Sequence, residues 1–293
     1  MIDMVRKAII PVAGFGTRFL PVTKAIPKNM IPVLDHPAVH YAVAEAAQAG
    51  IRDIVFVVSK NQESVERYFH NNAELEDALD SRGNVAKADE MRAIAKLVNV
   101  SSVLQEQQLG LGHAILMARD KIGAEPFAVF LPDDIIWDDH PTIGAMIEQH
   151  NEHGANVIAV KEVPDSAVPF LGIVDGQPVG EHEYALSGMV EKPSLEDAPS
   201  NLAIIGRYLL SPEIFDVLER VEPGAIGEIQ LTDAIKMMMD DPGVRAYRFP
   251  GNHFDVGTPA GLLKASIYAA LQQDEMKEDI VEWMKVTIAE QDA

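Results

Sequence analysis

The chain has no cysteine among its 293 residues. Disulfides, thiolate metal sites and a cysteine nucleophile are thereby excluded. Basic residues are scarce: 24 lysines and arginines stand against 45 aspartates and glutamates, a formal net charge of −21. A surface of that sign repels nucleic acid and anionic membranes, so a polynucleotide partner is not expected. No apolar run approaches the roughly 20 residues needed to cross a bilayer, and the apolar stretch after Lys7 is too short for the core of a signal peptide. A cytoplasmic location is the resulting expectation. Internal repeats and low-complexity tracts are missing, and no hexapeptide β-helix pattern extends the C-terminal part. With 47% hydrophobic residues and a mean hydropathy of +0.01, the composition is that of a soluble globular chain able to bury a large core.

What is present is concentrated in Lys7 to Pro32, KAIIPVAGFGTRFLPVTKAIPKNMIP. An apolar run, Ala8-Ile9-Ile10-Pro11-Val12, predicts a buried strand. It opens into Ala13-Gly14-Phe15-Gly16-Thr17-Arg18, where missing side chains let backbone N–H groups form an anion-binding nest. Arg18, Lys24 and Lys28 add positive charge, a combination suited to a phosphate-bearing ligand. A tight turn followed by solvated cations is the alternative. Two common phosphate loops are absent: the third glycine of a dinucleotide fingerprint is replaced by Phe19, and no Gly-Lys-Ser/Thr of a Walker loop follows.

Further along, Val39 to Gly50 reads as a helix ended by glycine and Ile54 to Val58 as a second buried strand, together a right-handed parallel unit. Gln62 to Val98 is charge-rich and helical, broken at Ser81-Arg82-Gly83-Asn84, and predicts a peripheral helical hairpin. Strands are expected over Val100–Gln105, Phe127–Leu131, Asn156–Val160, Ile204–Leu210 and Ala246–Phe249, and helices over Gly112–Arg119, Ile143–His150 and Leu231–Met239. Pro164 to Ser200 predicts short antiparallel strands, and Ser211-Pro212 an N-cap and first helical residue. Met276, Ile280, Met284 and Ile288 form one helical stripe, packing on the body or on another copy.

In an open α/β sheet, ligands bind at the carboxyl ends of the strands. Asp133 and Asp134 stand at such an end and suit magnesium, or else cap the next segment. Asp255 is a second metal partner or a turn residue. In Glu191-Lys192-Pro193 a lysine can grip phosphate and a glutamate can accept from sugar hydroxyls, though such triplets are also plain surface turns. Gly110-Leu111-Gly112-His113 is a glycine turn whose backbone can meet a flat base, with His113 read as a capping or packing histidine.

Together these stretches resemble the bacterial UTP–glucose-1-phosphate uridylyltransferases of the sugar-nucleotidyltransferase superfamily. The matching runs are VAGFGTRFLPVTKAIPKNMIP from Val12, GLGHAI from Gly110, LPDD from Leu131, VEKP from Val190, APSNLAIIGRY from Ala198, GEIQLTDAI from Gly227 and FDVGT from Phe254. The resemblance implies an α/β fold: a Rossmann-like, mixed but mostly parallel sheet flanked by helices, with an inserted antiparallel sugar-binding region. It implies a catalytic domain over 1–270, with a helical insertion near 62–98 and the sugar-binding region near 164–203, then a helical tail over 271–293. Ala13, Gly14, Gly16 and Thr17 would meet the nucleotide, Gln105 and Gly110 the uracil edge, and Arg18 and Lys28 the triphosphate. Asp133 and Asp255 would ligate Mg2+. Gly172, Glu191, Lys192 and Gly206 would hold glucose 1-phosphate, with Lys192 on its phosphate and Arg18, Lys28, Asp133 and Lys192 as the catalytic set. The implied partners are UTP, glucose 1-phosphate and further copies of the chain in a homodimer or homotetramer. Three positions depart from the family pattern: Asn29 where Glu is usual, Phe170-Leu171-Gly172 in place of Tyr-Gly, and Thr258, as in thymidylyl relatives. The rival readings are a thymidylyltransferase, a uridylyltransferase for another sugar phosphate, and a catalytically silent nucleotide-sugar-binding paralogue.

Overall fold

A computed structural model describes residues 5–60, 62–224 and 227–291. The strands that place the site are, in chain order, β1 (Lys7–Pro11), β2 (Asp53–Val58), β3 (Asn99–Leu104), β4 (Phe127–Phe130), β5 (Asp134–Trp137), β6 (Asn156–Glu162), β7 (Gly172–Pro178), β8 (Glu183–Glu191), β9 (Leu202–Leu210), β10 (Val244–Arg248) and β11 (Asn252–Asp255). All but β5 and β11 join one sheet, in the order β3-β2-β1-β4-β9-β6-β10-β8-β7. β1 lies parallel to β2 and β4, with Ile9 opposite Val55 and Val129. β9 runs antiparallel to both neighbours, β4 and β6. Seven strands point one way and two, β8 and β9, the other. The sheet is thus mixed, with mostly one strand direction, and β7–β8 is the antiparallel addition. A single pair, Ala203 with Ile173, brings β7 back onto β9 and curls that end of the sheet.

Alternation along the strands explains the layering. Ile9, Val55 and Val129 face one core with Phe127 and Phe215, whose rings stack 5.1 Å apart. Ala8, Ile10 and Phe56 face the other with Phe69 and the helix Ala38–Gln48. Each such large side chain, fully buried, contributes about 1.5–3 kcal/mol. The nine residues of β9 are all buried because the strand is covered on both faces. Its pairing to β6 skips between Ile204 and Tyr208, a bulge that releases Gly206 and Arg207 from that ladder.

The charged stretch folds as helices Glu63–Tyr68, Ala73–Ser81 and Val85–Ala95 at the sheet margin. Arg92 fastens the last two, at 2.5 Å from Asp80 and 3.3 Å from Glu76. The helix expected from Ser211-Pro212 begins later, at Ile214, and the Ser211 hydroxyl is buried without a partner among the described residues. The Ser211 N–H is given to the Asn156 side-chain oxygen at 2.7 Å, which holds that backbone to β6. The chain continues as helices Pro259–Leu271 and Asp274–Gln291. The second buries none of its residues, and Met276, Ile280 and Met284 are half-covered while Ile288 is exposed. Among the described residues, no helix is long and apolar enough to cross a membrane.

Candidate active site

β1 ends at Pro11, and the glycine loop turns back over its end. Asn29 is buried and donates to the Val12 carbonyl at 3.2 Å, which pins the following turn beneath the loop. Its neighbour Lys28 runs across both glycines: a Cβ on Gly16 would lie 2.7 Å from Lys28 Cβ, and one on Gly14 3.6 Å from Lys28 Cε. This close approach is the local need for glycine there. Lys28 Nζ then reaches Asp133 Oδ2 at 2.6 Å. Burial alone would raise the Asp133 pKa; the Lys28 charge and hydrogen bond, with Arg18 behind them, outweigh it and hold the carboxyl below its ordinary value. Arg18 itself is exposed on the rim.

Beside Lys28, Asp133 faces a second carboxylate, that of Asp255. β5 and β11 pair antiparallel, which sets Asp255 opposite Asp134. A Cβ on Gly257 would lie 2.9 Å from Asp255 Oδ1 and 3.0 Å from Asp133 Oδ2, so both carboxylates border one small space. Partial burial of the Asp255 carboxylate, with the charges of Asp134 and Asp133, pushes its pKa up despite the N–H of Gly257. Crowded anionic oxygens of this kind fit a hard divalent cation. Asp134 instead braces the protein around them, its oxygens holding His253 Nε2 at 2.6 Å and the Gly206 N–H at 3.2 Å. The chain passes so close here that a Cβ on Gly206 would fall 2.5 Å from Asp134 Oδ2.

A cleft of about 330 Å³ opens from this point, bordered by Ala13, Gly14, Lys28, Gln105, Gly110 and Asp133. Gln108 crosses it, donating to the Ala13 carbonyl at 2.7 Å. Gly110 has φ 95°, a left-handed value that favours glycine, and presses on Ile229, which pairs with Leu109 and Gly112. The run GEIQLTDAI thereby braces the loop from Leu109 to Gly112. On the opposite side, Gly172 pairs with Glu191 across β7 and β8. Glu191 accepts from Thr232 at 2.7 Å and meets Lys192 Nζ at 3.0 Å. Lys192 adopts φ 47°, and its N–H is held by the Leu171 carbonyl. Tyr208, on β9, is buried, and that burial, with the charges of Asp134, Glu191 and Asp133, pushes its hydroxyl pKa up.

The nucleotidyl transferase profile matches residues 7–272. The chain belongs to the nucleotidyl transferase family. Among curated relatives of this nucleotidyltransferase is the UTP–glucose-1-phosphate uridylyltransferase of Staphylococcus haemolyticus, 47% identical over 281 residues, covering 96% of this chain and 98% of the relative. Among solved structures it is similar to a UDP-glucose pyrophosphorylase complexed with UDP-glucose, 41% identical with TM-score 0.82, covering 92% of this chain and 100% of that one. It is also similar to a UTP-bound UGPase from Acinetobacter baumannii, 41% identical with TM-score 0.89, covering 96% and 99%. The kinship expected from the motifs and the fold class hold.

In this nucleotidyltransferase Ala13, Gly14, Lys28, Gln105, Gly110 and Asp133 lie along one cleft, and Gly172, Glu191 and Lys192 form a second cluster. Gly16, Thr17 and Arg18 lie outside the cleft lining, and both polar backbone groups of Gly206 are engaged by protein, its N–H by Asp134 and its carbonyl by Leu131 and Arg207. Thr258 is the N-cap of helix Pro259–Leu271, accepting from Gly261 at 3.2 Å. Residues that sequence reasoning did not single out are Gln108, Tyr208, Thr232 and His253. Thr232 lies inside the GEIQLTDAI run, and His253 directly precedes FDVGT. Tyr208 closes the APSNLAIIGRY run, whereas Gln108 carries no sequence signal, because its role depends on which loops face each other.

Proposed function

We propose that this chain transfers the uridylyl group of UTP to glucose 1-phosphate, forming UDP-glucose and pyrophosphate. The observation that carries the reading is the cleft that gathers the glycine loop, Lys28, Gln105, Gly110 and Asp133, beside which Glu191 and Lys192 make a second, separately furnished cluster. Gln105 and Gly110 suit a base, Lys28 and the glycine loop suit phosphates, and Glu191 with Lys192 suits a sugar phosphate. The names of the relatives, one uridylyltransferase and structures with UTP or UDP-glucose, support the same substrates.

The phosphate of glucose 1-phosphate is largely dianionic at neutral pH, its second pKa being about 6. It attacks the α-phosphorus without a protein nucleophile or base; the bond to the pyrophosphate oxygen breaks, and pyrophosphate leaves with that electron pair. The protein's work is alignment and charge neutralisation. Lys192 holds the attacking phosphate and Glu191 the sugar hydroxyls. Lys28 and Arg18 hold the triphosphate and the departing charge. Asp133 and Asp255 would hold Mg2+, which supplies Lewis-acid charge stabilisation when bound. Leaving Asp133 for a phosphate frees Lys28 to become a substrate contact. Pyrophosphate release with paired nucleoside triphosphates and sugar 1-phosphates tests this reading. UTP with glucose 1-phosphate should exceed every other pair; a preference for dTTP would overturn it.

A further inference from the structure

Gln105 is buried, 5% exposed, and its amide nitrogen has two neighbours: the Gly110 carbonyl at 3.3 Å and His113 Nδ1 at 3.0 Å. A backbone carbonyl only accepts, so the end of the amide turned toward Gly110 is the NH2 group. The second N–H of that group then points to His113, whose Nδ1 must be the unprotonated, accepting nitrogen with its ring proton on Nε2. Burial pushes the His113 pKa down, in keeping with a neutral ring. With both N–H groups committed, Gln105 has only its carbonyl oxygen left for a ligand in the cleft.

That polarity matters for a base. Uracil presents a ring N–H donor between two carbonyls, whereas cytosine presents an unprotonated ring nitrogen at the same place. An amide locked with its oxygen outward pairs with the first and opposes the second. The two ends of a glutamine amide are nearly isosteric, and the bond to Gly110 is long, so Gly110 alone is a weak lock. His113 has a fixed place from which to complete it. The start of its helix, Leu111–Met117, is held against Ile229 by Gly112 N–H to the Ile229 carbonyl at 2.9 Å and Ile229 N–H to the Leu109 carbonyl at 2.8 Å.

We propose that His113 is a positioning residue for base selection. By accepting one Gln105 N–H it fixes the amide with its oxygen toward the base, and so selects a nucleoside triphosphate bearing a ring N–H donor over one bearing an acceptor. This rests on the reading that the cleft holds the base. It also gives His113 a role beyond capping or packing.

The test is the ratio of kcat/KM for UTP over CTP, with glucose 1-phosphate, in the wild type and in His113→Leu, His113→Gln and Gln105→Leu. His113→Leu should lower the ratio about ten-fold or more, and His113→Gln, which keeps an acceptor, should stay within about three-fold of the wild type. Gln105→Leu should collapse the ratio. If Gln105→Leu collapses it and His113→Leu does not, the base site stands and the role of His113 falls. If neither changes it, the base assignment fails and the proposal with it. Histidine 15N spectra of the wild type, with His113→Gln for assignment, test the lock without relying on an altered fold. A proton on Nε2 of His113 is expected, and a proton on Nδ1 overturns the proposal.

Discussion

Arg207 is fully buried in the sheet, and its loss should be felt far beyond its own strand. The guanidinium donates from Nε to Glu45 Oε2 at 2.9 Å, with Nη2 in ion-pair contact with the same oxygen at 2.9 Å, and from Nη1 to the carbonyls of Leu131 at 3.2 Å and Gly206 at 3.0 Å. It also lies 4.9 Å over the Phe130 ring. In Arg207→Met the two carbonyls keep other donors, Asp134 N–H to Leu131 and Leu131 N–H to Gly206. Among the described residues, Glu45 keeps only the Ile143 N–H, on its other oxygen. The main cost is therefore a buried carboxylate without its cation, about 3–5 kcal/mol. An unfolding entropy of roughly 2.1 cal/mol/K per residue over 293 residues gives about 0.6 kcal/mol/K. Each kcal/mol then shifts Tm by about 1.6 °C, and the expected loss is about 5–8 °C. The double variant Glu45→Met/Arg207→Met removes both charges and should recover most of that loss, because burying a matched ion pair gains little over packed apolar groups. Thermal melts followed by circular dichroism read both. An Arg207→Met melt within about 2 °C of the wild type, or a double variant less stable than the single, would refute the reasoning.

The other expectations concern the site. Asp133→Asn should cut metal-dependent turnover at least about 100-fold and weaken Mn2+ binding in calorimetry, with the circular-dichroism spectrum unchanged; near-normal turnover would remove Asp133 from the metal site. Lys192→Ala should raise KM for glucose 1-phosphate about ten-fold or more while leaving KM for UTP unchanged in initial-rate assays. An effect on UTP alone would move Lys192 to the other subsite. Asp255 has a raised folded pKa, so its ionisation disfavours the native state as pH rises above 3.8, its ordinary value. Metal-free Asp255→Asn should therefore melt higher than the wild type at neutral pH, by no more than about 2 °C given its exposure. The gain should disappear below the unfolded pKa, where Asp255 is protonated in both states; a lower melting point at pH 7 would contradict the assigned crowding.

Much of the fold was legible because apolar runs such as Ala8–Ile10 and Phe127–Phe130 have only one economical use, a strand buried on both faces. The glycines read as bare backbone for an anion; that Lys28 passes too close to Gly16 for a side chain appears only in the structure. Ser211-Pro212 misled because an N-cap works through its side-chain oxygen, and among the described residues the buried Ser211 hydroxyl meets no N–H. The departure at Asn29 has a physical account in the structure, since a glutamate at that position has no N–H to give to Val12. The pairings of Gln108 and Arg207 stayed hidden because their partners lie 95 and 162 residues away along the chain, at Ala13 and Glu45. Local patterns select which residues are buried or turn-forming, and only the folded sheet decides which of them meet.

The central claim, a two-substrate site joining a uridine nucleotide to glucose 1-phosphate, is tested most directly by pyrophosphate release under matched UTP and dTTP with glucose 1-phosphate. The account predicts a kcat/KM for UTP well above that for dTTP, abolished by chelating the divalent cation. Equal or greater turnover of dTTP, or release insensitive to chelation, would contradict it.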